Sequence, residues 1–399
     1  MNHARPHQSI LNFSKRFMMT SGIWRLPTIN CPTIAKIYAV YSTTIQTFYS
    51  IVAVSFGIQF ASTFIDKFAK NSEAVFKEAS YIITLVIIEY ASIVCQRKNM
   101  RNIMTFILHE EHHIFENEDE DVRKTYLGHL KFCWKSNAVL FAFTCCSGAA
   151  IVLENLVLQL EVHKLNRELN ETRPKPLPLD LYYWQFDPDK YDTFLLIVHD
   201  VWLTNTMFLI VSTKTIVFTC IIFAPSIMTR LQMKLNTLKE GEVWSSVKKL
   251  AREHQKIIEF VEQLNDSIKY LILLEYLLNS LNVATISVQF ITDDKKMIAG
   301  LVFYLSFLFV QTFILGWSAN EIKLQSTALS DAMYQTSWYN QSRYIQKMLL
   351  TMMVQSQKPL AVTVGPFEAM TTQSALTVMK ASYSYVTLMM NNYDKRYQL

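Results

Sequence analysis

The sequence predicts an all-helical membrane protein that crosses the membrane seven times. Apolar residues make up 51% of the 399 residues and charged residues only 18%, whereas soluble domains carry about 25% charged residues. The apolar residues are gathered in blocks rather than in amphipathic stripes, which separates a membrane protein from a large soluble core. Glycine occurs only 8 times, and this scarcity favours long helices over strands and loops.

Seven apolar blocks are long enough to cross about 30 Å of hydrocarbon, which takes about 20 residues of helix. The predicted spans are Ile37–Phe60, Phe76–Cys95, Asn137–Leu158, Phe194–Phe223, Tyr270–Ile291, Met297–Trp317 and Met370–Met390. Only residues 292–296 separate the fifth span from the sixth, which predicts a tight hairpin. The seventh span is rich in Thr, Ser and Gln and contains Lys380, so it is too polar for a helix that faces lipid.

The basic residues near the span ends predict an inverted topology. Residues 1–36 contain Arg5, Lys15, Arg16, Arg25 and Lys36 and no acidic residue. The segments after the second and fourth spans are also rich in Lys and Arg, whereas residues 159–192 are net acidic. Because cytoplasmic loops carry the excess of Lys and Arg, the N-terminus is predicted in the cytoplasm and the C-terminus outside.

This topology divides the chain into six parts. They are a cytoplasmic N-terminal segment (1–36), spans one to four (37–225) with a long outer loop (159–192), a cytoplasmic helical extension (226–269), spans five and six (270–319), a cytoplasmic anchor helix region (320–366), and the seventh span with a short extracellular tail (367–399). Asn170 begins an Asn-Glu-Thr sequon in the outer loop and is a candidate glycosylation site. Leucines at helical spacing predict that the cytoplasmic parts form a helical bundle, within one chain or between chains.

The segment His109–His113 matches the zinc-protease pattern H-E-x-x-H, which places two histidines on one helix face. The acidic run from Glu116 to Asp121 follows it, and such runs are typical of solvated segments. We therefore interpret this stretch as a solvated helix extension without a metal ion. Because nucleophile elbows and phosphate-binding glycine loops are also missing, we expect no catalytic residue, no cofactor and no enzymatic activity.

Charged residues inside apolar blocks are costly in a membrane and indicate functional positions by default. They are Glu89, Glu154, Asp200, Lys214, Glu275 and Lys380. The alternative for Glu154, Asp200 and Lys214 is a place near a span end or a bridge between neighbouring helices. Lys380 differs, because hydroxyl-bearing residues surround it, as in a helix that faces water. One such helix cannot enclose a pore, so a channel implies an oligomer.

Short motifs in the C-terminal third occur in a specific order and spacing. They are Gly316-Trp317, Gln325-Ser326, Ala332–Tyr334, Trp338-Tyr339, Lys347–Leu349, Gln355–Leu360, Gly365–Phe367 and Lys380–Tyr385, with a helix around His254–Phe260 before them. In this respect the chain resembles the insect odorant receptors, a family of inverted seven-span ligand-gated cation channels. The gustatory receptors, a sister family, end differently from Ser384–Asn391 of this chain.

The resemblance implies a subunit of an odorant-gated, non-selective cation channel in the plasma membrane of olfactory sensory neurons. Its expected partners are the odorant receptor co-receptor, in a tetramer, a small volatile odorant or pheromone, and membrane lipid; nucleic acid is not expected. The alternatives are a seven-span metabotropic receptor and a gustatory-type receptor channel. The predicted cytoplasmic N-terminus and the missing Asn-Pro-x-x-Tyr motif argue against a rhodopsin-like receptor.

The resemblance also implies positions for the ligand pocket and the pore. The expected ligand-binding residues are Tyr81, Ile82, Val86, Gly148, Ile151, Val152, Leu196, His199, Asp200, Leu203, Phe303, Tyr304 and Phe307. Helix packing is the alternative role for each of them taken singly. The expected pore and gate residues are Lys380, Ser384, Leu388, Asn391 and Asn392. The family's aliphatic ring is only partly preserved at these pore positions.

Overall fold

The structure is a computed structural model that describes residues 9–24, 32–70, 72–169, 177, 181–183, 190–238, 244–292 and 298–397. These residues form a bundle of long helices. The helices are α1 (Asn12–Thr20), α2 (Pro32–Lys70), α3 (Ser72–Gln96), α4 (Lys98–Asn117), α5 (Glu120–Leu169), α6 (Asp192–Asn236), α7 (Trp244–Thr292), α8 (Ile298–Tyr334), α9 (Arg343–Ser356) and α10 (Thr372–Tyr397). A short 3-10 helix covers Trp338–Asn340, and strands β1 (Thr363–Val364) and β2 (Glu368–Ala369) form an antiparallel hairpin.

The predicted spans coincide with seven long helices, namely α2, α3, α5, α6, α7, α8 and α10, except that Met297 lies outside the described residues and that Met370 and Thr371 precede α10. Four stretches among the described residues are both long and apolar enough to cross a membrane: Pro32–Ile65, Glu78–Gln96, Asp192–Asn236 and Val302–Gln335. The other three predicted spans lie in α5, α7 and α10. The fold is therefore that of an all-helical membrane protein, as predicted.

Helix α6 is the centre of the bundle. It packs against α1, α5, α7 and α8, and its stretch from Thr215 to Met228 is entirely buried. A helix that is apolar on all sides belongs in an interior, because no face of it prefers water. Pro225 lies within this buried stretch, and the carbonyl oxygen of Pro225 accepts a hydrogen bond from the Thr229 hydroxyl at 2.9 Å.

The end of the bundle that holds α4, α9 and the hairpin is called here the α4 end. The amide of Gly365 donates to the carbonyl of Lys269 at 3.0 Å, and the amide of Thr363 donates to Oδ1 of Asn265 at 2.8 Å. Gly365 has a φ of 59°, a conformation that favours glycine, and an added Cβ would lie 2.8 Å from Cδ2 of Leu273. These contacts fix the start of α10 against α7.

Helix α1 lies in the segment 1–36, for which the sequence predicts a topology but no packed helix. Leu11 and Met18 are buried, and the Ser14 and Ser21 hydroxyls lie 3.2 Å and 2.8 Å from the hydroxyls of Thr219 and Ser212 on α6. Leu, Ser, Met and Ser recur at spacings of three or four residues, so small polar residues occupy half of the buried face. Because half of the buried face is polar, the mean hydropathy of the segment does not reveal a packed helix.

Candidate ligand pocket, pore helix and charge clusters

His199 is a buried polar side chain on α6. It is 0% exposed, and its Nδ1 lies 2.7 Å from the carbonyl oxygen of Leu195, one turn earlier. A neutral imidazole that donates from Nδ1 presents Nε2 as an acceptor. The ring of Tyr183 lies 6.3 Å from His199, and Trp202 stacks on Tyr49 at 5.8 Å. His199 thus has one aromatic neighbour, and a second aromatic contact lies one turn further along α6.

A second polar group joins α3, α7 and α8. Asn282 on α7 accepts a hydrogen bond from the Ser80 hydroxyl through Oδ1, and its Nδ2 donates to the Tyr304 oxygen at 3.3 Å. The Tyr304 ring stacks on Phe307 at a centroid distance of 6.4 Å. Sequence reasoning found Tyr304 and Phe307 but missed Ser80 and Asn282. A scan for neutral amides inside apolar blocks, in addition to charges, finds Asn282.

The remaining predicted pocket residues differ in exposure. Tyr81, Val86, Val152 and Phe303 are exposed on the single chain, whereas Ile82, Gly148, Leu196, Asp200 and Leu203 are half-buried. The side chain of Ile151 and all of Asn170 lie outside the described residues. An added Cβ on Gly148 would lie 3.3 Å from Met207 Cγ, so α5 and α6 are in close contact there. Of the predicted pocket residues, the structure places Tyr304 against Phe307, and the others lie along α3, α5, α6 and α8.

Helix α10 has one exposed polar face. Gln373, Thr377, Lys380, Ser384 and Thr387 follow one another at spacings of three or four residues, and all are exposed. Such spacing places them on one side of a helix. Of the predicted pore residues, Lys380 and Ser384 belong to this face. Leu388, Asn391 and Asn392 are on the same helix, but their side chains lie outside the described part of the structure.

Two of the charged residues in the predicted spans form an ion pair. The Lys214 ammonium on α6 lies 2.7 Å from a Glu275 carboxylate oxygen on α7, and both side chains are largely buried. The ion pair is a bridge between neighbouring helices, which is the alternative role given above for Lys214. A third charge, Glu89, accepts a hydrogen bond from the Ser50 hydroxyl at 2.9 Å.

The interpretation of His109–His113 as a solvated helix extension is wrong for two of its residues. Glu110 and Glu111 are 6% and 4% exposed, because they share the buried face of α4 with Ile103, Ile107 and Ile114. His109 and His112 are exposed. Among the residues that the structure describes, no group of three His, Cys, Asp or Glu side chains could hold a metal ion.

Glu111 joins α4 to the start of the chain. Its carboxylate accepts hydrogen bonds from the Ile10 amide at 2.8 Å and from the Tyr126 hydroxyl at 2.6 Å, and also from the Ser9 hydroxyl. Burial raises the pKa of Glu111, and these three hydrogen bonds oppose that rise. Burial also raises the pKa of Tyr126. Three fixed hydrogen-bond donors therefore take the place of the water that the Glu111 carboxylate loses on burial.

Glu110 belongs to a cluster of buried charges at the α4 end. The Arg230 guanidinium lies 2.9 Å from Glu110 and 3.7 Å from Glu253, and the Lys234 ammonium lies 3.0 Å from Glu253 and 2.6 Å from Glu118. The cluster links α4, α6 and α7, and it includes Glu118, which caps the C-terminal end of α4. The Nε and Nη1 groups of Arg230 are buried without a partner among the described residues. Buried charges of this kind are stable only as pairs.

A cavity of about 210 Å³ lies next to this cluster, between α4 and α7. Its apolar walls are Ile103, Phe106 and Phe260, and the rings of Phe106 and Phe260 stack at 5.2 Å. Charged and polar residues form the remaining walls: His109, Glu110, Lys256, Glu259 and Gln263. The cavity is at the α4 end and involves none of the predicted ligand-binding residues.

Several helices of this bundle are apolar and long enough to cross a membrane, and they hold polar groups between them. The chain is therefore a multi-pass membrane protein. The family model "7tm Odorant receptor" matches residues 74–383 of the chain. The chain therefore belongs to the odorant receptor family. This is a receptor family and not a family of enzymes, which confirms the sequence-based expectation on both points.

Curated relatives match parts of the chain. Odorant receptor Or2 of Anopheles gambiae is 28% identical over 191 residues, which are 44% of this chain and 50% of that protein. Odorant receptor 10 of Aedes albopictus is 30% identical over 172 residues, which are 41% of this chain and 46% of that protein. The chain thus spans about half the length of the curated relatives it matches.

The fold is similar to that of a solved insect olfactory receptor. The structure of OR5 from Machilis hrabei in complex with eugenol superposes with a TM-score of 0.78, at 16% identity, over 96% of this chain and 97% of that one. A second structure of OR5 from Machilis hrabei gives a TM-score of 0.77 at 17% identity, over 95% of this chain and 97% of that one. The likeness covers almost the whole chain and establishes the fold.

Proposed function

We propose that this chain is a subunit of an odorant-gated, non-selective cation channel that it forms with the odorant receptor co-receptor. The observation that carries the proposal is the exposed polar face of α10, from Gln373 to Thr387. A lipid-facing helix does not carry a row of polar side chains, because hydrocarbon offers them no partners. Copies of this face turned toward a common axis form the wall of an aqueous pore.

The α4 end supports the oligomer. It exposes large apolar side chains on α8 and α9 and in the hairpin, namely Leu324, Tyr334, Tyr344, Leu350, Val354 and Phe367. Apolar groups of this size, exposed together, mark protein interaction surfaces. The co-receptor is the partner proposed for this surface, in a tetramer. The inverted topology and a place in the plasma membrane of olfactory sensory neurons are part of the same proposal.

The ligand is proposed to be a small volatile molecule held among α3, α5, α6 and α8. Two polar groups support this site, because pockets for small molecules combine apolar walls with a few polar handles. They are His199 on α6 and the Asn282–Tyr304 pair. OR5 from Machilis hrabei, whose fold is similar, was solved in complex with eugenol. A ligand opens the channel only by binding its open state more tightly than its closed state.

The test is co-expression of this chain with the co-receptor in cells under voltage clamp, with G-protein signalling blocked. A panel of volatile phenols, esters and alcohols, eugenol included, is applied in turn. The proposal predicts a cation current that appears with at least one compound and needs both subunits. A response that disappears when G-protein signalling is blocked would indicate a metabotropic receptor instead. Saturable uptake of the compound without current would indicate a transporter.

A further inference from the structure

The polar face of α10 contains a single charge. Gln373, Thr377, Ser384 and Thr387 are neutral, and Lys380 is the middle one of the five residues. Thr377 and Ser384 lie one turn before and one turn after it. Lys380 is therefore flanked by two hydroxyl groups on this face, and the exposed side chains of Leu376 and Tyr383 lie one turn away beside it.

The opposite face of α10 packs against its own chain. Ser374 and Ala375 are buried, and an added Cβ on Gly316 of α8 would lie 2.9 Å from the Ala375 Cβ. Val378 packs against the core as well. Because α7 and α8 hold this buried side, the side with Lys380 points away from the rest of the chain.

Lys380 also differs from Lys214, a lysine in the middle of the fourth predicted span. Lys214 has the Glu275 carboxylate at 2.7 Å. Lys380 has no ion pair with any residue that the structure describes. An unpaired ammonium is too costly to leave in hydrocarbon, so Lys380 requires water or a partner from another subunit. In the proposed channel, the water-filled pore meets this requirement.

We propose that Lys380 limits the passage of divalent cations, so that this subunit sets how much Ca²⁺ the channel carries relative to Na⁺. The inference rests on the proposed function and adds a residue that determines ion preference. A fixed positive charge in the wall repels a divalent ion twice as strongly as a monovalent ion at the same distance. For one ammonium about 6 Å from the ion in water, local Na⁺ falls roughly threefold and local Ca²⁺ roughly tenfold.

The test measures reversal potentials of the odorant-evoked current in the complex with the co-receptor, first in NaCl and then in CaCl₂. Lys380→Gln removes the charge and keeps a polar side chain of similar length. We expect the Ca²⁺ to Na⁺ permeability ratio to rise about threefold, or less where salt screens the charge. Lys380→Glu is expected to raise the ratio further, and Lys380→Arg is expected to leave it unchanged.

Lys248 on α7 is the matched control, because it is exposed and belongs to the α4 end rather than to α10. Lys248→Gln removes the same charge and should leave the ratio at the wild-type value. Lys380→Met is a second neutral variant, to be measured if Lys380→Gln does not reach the surface. Equal ratios in wild type and in both neutral variants would overturn the inference. A wild-type complex that passes no cation current contradicts the proposed function itself, and the inference with it.

Discussion

Replacing Arg230 by Met is expected to destabilise the chain strongly. Arg230 is 5% exposed and holds the carboxylates of Glu110 and Glu253 at 2.9 Å and 3.7 Å. Methionine fills much of the volume but leaves Glu110 without its cation, and Glu253 retains only Lys234. Removing one partner of a buried ion pair costs about 3–5 kcal/mol, because the remaining charge stays buried.

The assay is thermal unfolding of the purified, detergent-solubilised chain, followed by gel filtration with fluorescence detection. Arg252→Met is the matched control, because Arg252 is an exposed arginine on α7. Its expected effect is within about 0.5 kcal/mol, as for most surface substitutions. Glu110→Gln combined with Arg230→Met should recover part of the loss, since one unpaired carboxylate is then neutral. Equal melting temperatures for Arg230→Met and Arg252→Met would show that Arg230 does not stabilise the buried carboxylates.

Three further predictions concern single contacts. Lys214→Met should lower the free energy of unfolding by about 3–5 kcal/mol. Exchanging the charges of Lys214 and Glu275 should restore part of this stability, and an equal loss of stability in the single and the exchanged variants would contradict a stabilising ion pair. Burial lowers the pKa of His254 below 6.5. Its contribution to stability is therefore present above pH 6.5 and is lost as the pH falls below that value. Between pH 7.5 and pH 5.5, the melting temperature of His254→Gln should fall less steeply than that of the wild type. Asn282→Leu leaves the Tyr304 hydroxyl without its donor and should shift the odorant dose–response curve about tenfold, with surface expression as the control.

The helices of this fold are predictable from sequence because their cause is local. A block of about 20 apolar residues must be helical in a membrane, since only internal hydrogen bonds satisfy its backbone there. The polar face of α10 is predictable for the same reason, because Thr377, Lys380 and Ser384 repeat at helical spacing. Local patterns of this kind can be found without any knowledge of the partners.

The charge cluster could not be predicted, because its partners are far apart in the chain. Glu110 looks like part of a solvated acidic segment until Arg230, 120 positions later, is placed beside it. Helix α1 is hidden for a related reason, since Ser14 and Ser21 become buried only against Thr219 and Ser212. Whether a polar residue is solvated or paired depends on tertiary contacts that a hydropathy pattern does not contain.

The most direct test of the proposed channel is whether the polar face of α10 lines the conducting path. Ser384 and Thr387 are replaced singly by Cys in the complex with the co-receptor, and a charged thiosulfonate reagent is applied while an odorant holds the current. We expect the reagent to block the current in both variants but not in the wild type, whose described cysteines are on α3, α5 and α6. A current that persists unchanged in both variants, with thiol labelling verified, would contradict the proposed channel.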